Sequence, residues 1–96
     1  MKITKSILNY ARRRNLDIVV YDDILEDDVL MVCFYELDND CEWMFSYRVN
    51  ENGSLSFNGN IYLQESIKEE LPAYISDNKK LKEMINFVSV ELAKLA

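Results

Sequence analysis

The residues with the most chemical potential sit between positions 33 and 42. Asp38, Asp40 and Glu42 alternate as D-x-D-x-E, a spacing that opens like a calcium-binding loop, and Cys33 and Cys41 lie close by. A calcium loop of that kind needs glycine at its sixth position and a bidentate glutamate at its twelfth. Counted from Asp38, those positions hold Trp43 and Val49. Thiolate metal sites want more ligands at CxxC-like spacing, or histidines to complete the set, and the chain has no histidine. The same lack removes the ordinary general base and the Ser-His-Asp arrangement. Only two glycines are present, too few for a phosphate-cradling loop. Neither catalysis, a cofactor nor a dedicated metal is expected.

The cysteines read as small hydrophobes. If residues 29–36 pair with 42–49 across Asp38 and Asn39, Cys41 falls opposite Glu36 and out of register with Cys33, so no disulfide is expected. Reduced thiols fit a cytoplasmic setting.

What the carboxylates do supply is a field. Seventeen acids against eleven bases leave a net charge of −6. The 33 residues between Arg14 and Arg48 contain no basic side chain and ten acids: Asp17, Asp22, Asp23, Glu26, Asp27, Asp28, Glu36, Asp38, Asp40 and Glu42. That segment is −10 and the remainder +4. Self-repulsion on this scale works against folding. Solubility calls for charge but not for segregating its signs, whereas a field of one sign steers a partner of the other.

The elements that must position these residues are legible from periodicity. With 96 residues and 49% hydrophobic composition, the chain forms one domain with one core. Residues 4–14 have helical spacing at Ile7, Leu8 and Ala11, Thr4 as cap, and Arg12, Arg13 and Arg14 where the helix dipole favours cations. LDIVVY at 16–21 reads as a strand, DDILEDD as an acidic connection, and VLMVCFYEL at 29–37 as a second strand with both faces covered, being apolar for seven residues in succession. DND at 38–40 has turn chemistry. In CEWMFSYRV, 41–49, strict alternation predicts Cys41, Trp43, Phe45, Tyr47 and Val49 facing inward and Glu42, Met44, Ser46 and Arg48 outward. An Asn-Gly turn leads to a fourth strand, 55–63. Ser66-x-x-Glu69 has capping-box spacing for a short helix ended by Pro72. Ser76, Asp77 and Asn78 offer caps for a last helix striped by Leu81, Met84, Ile85, Val88, Leu92 and Leu95.

The expected architecture is α+β, a two-layer sandwich in the order α-β-β-β-β-α-α: an N-terminal helix, an antiparallel four-stranded meander and two C-terminal helices on one face of the sheet. One row of the second strand, either Val29, Met31, Cys33 and Tyr35 or Leu30, Val32 and Phe34, must then point away from the helices. With Met44 beside it, an apolar patch flanked by carboxylates is expected on the open face, which is what an interface looks like. The six tyrosines and Trp43 read as core aromatics and interface anchors. A base-stacking platform would bring lysine and arginine, and the sheet offers Arg48 alone, so direct nucleic-acid binding is not expected. The longest apolar run falls well short of the ~20 residues of a membrane span, and MKITKSILNYARRR lacks the apolar core of a secretory signal.

These features predict a small acidic protein-binding inhibitor that docks on the basic surface of a nuclease or other nucleic-acid enzyme, mimicking nucleic-acid charge. Asp22, Asp23, Glu26, Asp27, Asp28, Glu36, Asp38, Asp40 and Glu42 would steer the encounter, with Tyr35 and Met44 as anchors. In size, acidity and layering this is the character of anti-CRISPR and anti-restriction inhibitors from phages and mobile elements, and of nuclease-immunity proteins; no motif ties the chain to any of those families. The alternative is a homodimeric chaperone or assembly adaptor that grips a client through the open sheet face.

Overall fold

The computed structural model describes residues 3–21, 30–39 and 42–95. The Thr4 hydroxyl accepts from the Ile7 N–H at 3.3 Å, satisfying one of the orphan donors at the start of a helix, and α1 runs Lys5–Arg12. It stops where Asn15 adopts a left-handed backbone with φ of 64°, a helix-end conformation that asparagine tolerates. The chain then enters a sheet of β1 (Leu16–Tyr21), β2 (Met31–Glu36), β3 (Phe45–Val49), β4 (Leu55–Asn60) and β5 (Tyr74–Ile75), with α2 (Glu65–Lys68) before β5 and α3 (Asn78–Leu95) after it. All neighbours pair antiparallel in the order β1-β2-β3-β4-β5.

The α+β architecture is as the sequence implies, with one strand more. β5 was not expected because two residues show no periodicity. Leu55 pairs with Ile75 and Ser56 with Tyr74, and Ile75 is fully buried. The Ser66–Glu69 capping box does not form: α2 starts one residue earlier, at Glu65, and its first turn has no side-chain cap. Asp77 does cap α3, accepting from the Lys80 N–H at 2.8 Å. Along α3 the stripe Leu81, Met84, Ile85 and Val88 is buried, while Leu95, the last residue of the helix, is 56% exposed.

The core lies between the sheet and the helix layer. Phe34 stacks on Phe45 with centroids 4.7 Å apart. Tyr47 meets both rings and Phe57 edge-on and donates its hydroxyl to the Pro72 carbonyl at 2.6 Å. Such pairs add roughly 0.5–1.5 kcal/mol beyond burial. Arg14 fastens α1 to α3: its guanidinium lies 3.6 Å over the Tyr10 ring, and its Nε donates to Asn86 Oδ1 at 3.2 Å.

Alternation fails at the entry to β3, with consequences for the whole open face. The Met44 N–H donates to the Phe34 carbonyl at 2.8 Å, although Phe34 stands opposite Phe45. Two residues against one is a β-bulge. Met44 and Phe45 therefore both enter the core, at 1% and 0% exposure. The expectation that Met44 faces outward is corrected: it is a core side chain. Trp43, expected inward, is displaced to the opposite face, where it touches Tyr21 and Tyr35.

Ile85→Ala, at a fully buried site, is expected to cost about 2–5 kcal/mol in urea unfolding with an unchanged m-value. Leu95→Ala should stay within about 0.5 kcal/mol, because its side chain already meets water.

Candidate functional site

Which row of β2 faces away from the helices follows from register. Val32 and Phe34 belong to the core, so Met31, Cys33 and Tyr35 lie on the open face. Beside them stand Asp17, Val19 and Tyr21 of β1 and Ser46 and Arg48 of β3. The Val19–Cys33 pair sits between Tyr21 and Tyr35 in the ladder. The two tyrosine hydroxyls meet above it in a hydrogen bond, and Trp43 lies against both rings, at 6.2 and 6.5 Å between centroids. This aromatic cover explains why Cys33 is fully buried on a face without a helix, and why burial pushes its thiol up to about 11. A thiol in that state is an inert packing group.

The open face is polar on its β4 side. An irregularity between β3 and β4 leaves Asn58 unmatched, since Ser46 pairs with Gly59 and Tyr47 with Phe57. The Asn58 amide then donates to Ser46 Oγ at 3.1 Å. Arg48 is exposed and stands opposite Met31.

Carboxylates gather at the β2–β3 turn. Asp38 supplies the left-handed turn position, φ 70°, and the Asn39 N–H closes the turn on the Glu36 carbonyl at 3.1 Å. Tyr62, from beyond β4, donates its hydroxyl to Glu36 Oε1 at 3.1 Å and to the Glu42 carbonyl at 3.5 Å. Asp38 and Glu42 are exposed. Glu36, Asp38, Glu42, Tyr62 and the Trp43 indole therefore share one end of the sheet, with Glu36 on the helix-side row of β2 and Glu42 next to Trp43 in the chain.

Of the residues the sequence nominates, Glu36, Asp38 and Glu42 are brought together. Tyr35 is on the expected face but only 5% exposed, so its contribution is to hold Trp43 and Tyr21 rather than to present its own surface. Met44 is in the core and cannot be a surface anchor. Asp22, Asp23, Glu26, Asp27, Asp28 and Asp40 lie outside the described residues. Asp17, counted among uncompensated acids, has a cation: Arg12 Nε approaches its Oδ1 to 3.5 Å. Six of the 17 acids and one of the 11 bases fall outside the described residues. Among the described residues no group of three histidines, cysteines or carboxylates could hold a metal ion, and no helix is long and apolar enough to cross a membrane.

Trp43, Tyr21 and Tyr62 are among the aromatics read as core residues and interface anchors, but their places are not legible: nothing in the residue pattern marks the bulge that moves Trp43, and Tyr62 finds its partner, Glu36, 26 positions away. No protein-family model matches the chain, and no curated protein or solved structure matches it either.

The Tyr62 hydroxyl is pushed up to about 12, first by burial and then by its bond to Glu36 and the charges of Glu36 and Glu42. The folded state thus favours the protonated phenol. That stabilisation is complete below the ordinary tyrosine value of about 10 and fades as pH rises from there towards the folded value. In urea midpoints, the advantage of the wild type over Tyr62→Phe should be constant from pH 7 to about 9 and shrink between about 10 and 12. An advantage that does not change over that range would mean the Tyr62–Glu36 bond is not made.

Proposed function

We propose that this chain is a small binding protein that inhibits a nucleic-acid-processing enzyme by occupying its basic, phosphate-binding surface. The observation that carries this reading is the composite end of the sheet. Asp38 and Glu42 stand exposed at the end of an aromatic centre of Trp43, Tyr21 and Tyr35, Glu36 holds Tyr62 from the helix-side row of β2, and Arg48 is the one basic side chain that the described open face adds. Aromatic residues ringed by charge are the usual make-up of an interface hot spot. A groove lined with lysine and arginine is built to meet about one negative charge per 1.7 Å of duplex, and clustered carboxylates compete for it without any chemistry of their own.

The dense carboxylates at 22–28 belong to the same reading through the sequence, as the source of most of the net negative charge. Long-range attraction from such charges raises association rate, while desolvated aromatics set the lifetime of the complex. The two contributions are therefore separable by mutation. The compartment consistent with such an activity, and with a buried reduced thiol at Cys33, is the cytoplasm.

Affinity capture from the native host at low and at physiological salt tests the proposal with three baits. The wild type should retain a cation-rich nucleic-acid enzyme, more of it at low salt. Reversal of Asp22, Asp23, Asp27 and Asp28 to lysine should abolish that capture, chiefly by slowing association. Trp43→Ala should capture the same enzyme and release it faster. Equal capture by wild type and the quadruple variant would overturn the electrostatic reading, and binding that strengthens with salt would favour the homodimeric adaptor.

A further inference from the structure

Every open antiparallel sheet has two edges whose backbone groups invite another strand. Here one edge is β5, only two residues long. The other is β1, with six. The Leu37 N–H donates to the Asn15 carbonyl at 3.0 Å, which sets the phase of the β1–β2 ladder. Asn15, Asp17, Val19 and Tyr21 turn their backbone groups towards β2, and Leu16, Ile18 and Val20 turn theirs to the edge that no other described strand pairs with.

The middle of that edge is occupied by the chain's own side chains. The Ile18 N–H donates to Asp17 Oδ1 at 3.1 Å, and Arg12 Nε approaches the same oxygen to 3.5 Å. Arg12 belongs to α1, whose Ile7 and Ala11 lie in the core layer, whereas Asp17 is on the open face of the sheet. The ion pair therefore wraps around the β1 edge from one face to the other. As a surface ion pair it contributes little to stability, so its position rather than its energy distinguishes it.

We propose that the Arg12–Asp17 pair closes the β1 edge against strand addition, and that the strand it excludes is β1 of a second copy of this chain. The edge is self-complementary. An antiparallel copy related by a twofold axis at Ile18 sets Ile18 opposite Ile18, and Leu16 opposite Val20 in both directions. Apolar side chains thus meet apolar side chains along the core row. Val20, 45% exposed, gains the most cover. The central donor of that ladder is the Ile18 N–H, and this is the group the Asp17 carboxylate already holds. Pairing must displace the carboxylate and leave Arg12 without its partner.

Light scattering after size exclusion, with far-ultraviolet circular dichroism to confirm folding, tests this directly. The wild type should be a monomer. Asp17→Ala removes the acceptor and should double the molar mass in a concentration-dependent way, with slowed hydrogen exchange at the Ile18 and Val20 amides. Asp17→Asn keeps an acceptor for the Ile18 N–H and should remain mostly monomeric. Adding Val20→Lys to Asp17→Ala should restore the monomer by placing charge on the self-paired row. If Asp17→Ala fails to fold, Arg12→Ala, at an exposed side chain, takes its place and should give a partial shift towards dimer. The proposal is overturned by a folded Asp17→Ala or Arg12→Ala protein that stays monomeric at every concentration. It is equally overturned if Asp17→Asn associates as strongly as Asp17→Ala, or if the wild type already pairs through β1.

Discussion

Phe34 presents its carbonyl to the Met44 N–H at 2.8 Å while standing opposite Phe45, and much of the molecule follows from that doubling. Because two residues of the chain match one of β2, Met44 and Phe45 can both fill the core, and Phe45 can lie parallel to Phe34 at 4.7 Å. The residue before them is thrown to the other face. Trp43 thereby comes to rest on Tyr21 and Tyr35, the three rings seal Cys33 from water, and Glu42 is left exposed beside them. Without the bulge, the indole would be a core side chain and the open face would carry a methionine instead. Bulges commonly re-aim side chains at functional places on a sheet, and this one turns a plain hairpin into an aromatic face with an acidic rim.

Most of the scaffold is legible in the residues because each element obeys one period. LDIVVY is a strand over the residues expected of it, Thr4 and Asp77 cap the helices they precede, and the Asn52-Gly53 turn forms with Gly53 at φ 88°. The misreadings have a common cause. A bulge, a two-residue strand and a cap that is bypassed are decided by tertiary fit, not by local preference. Phe34 needs Phe45 across from it, Ile75 needs a place beside Leu55, and α2 starts at Glu65 with no help from Ser66. The site suffered more than the fold because it lies where the period breaks. Alternation placed Trp43 and Met44 on the wrong faces, and no sequence rule links Tyr62 to Glu36.

Charge is where composition alone is most easily over-read. A net −6 gives no positions, and the described body carries both signs. Its bases lie largely on the helices, among them Arg12 in the last turn of α1 and Lys82 of α3, 5.5 Å above the Tyr10 ring, while Arg14 covers the same ring from the turn after α1. Its exposed acids include the Asp38 and Glu42 pair at the turn after β2. Asp17 is neutralised across the sheet edge, where its value is steric and hydrogen-bonding more than electrostatic.

The chain has a single tryptophan, and it stands at the junction of the aromatic centre and the acidic rim. Its emission can therefore be followed while an oligo-arginine peptide is titrated in at low and at physiological salt. A saturable change that weakens as salt rises, and that is lost when Glu42 is reversed to lysine, is the result expected of a surface made to receive cations. Emission that ignores the peptide, or responds equally at both salt concentrations, would contradict it.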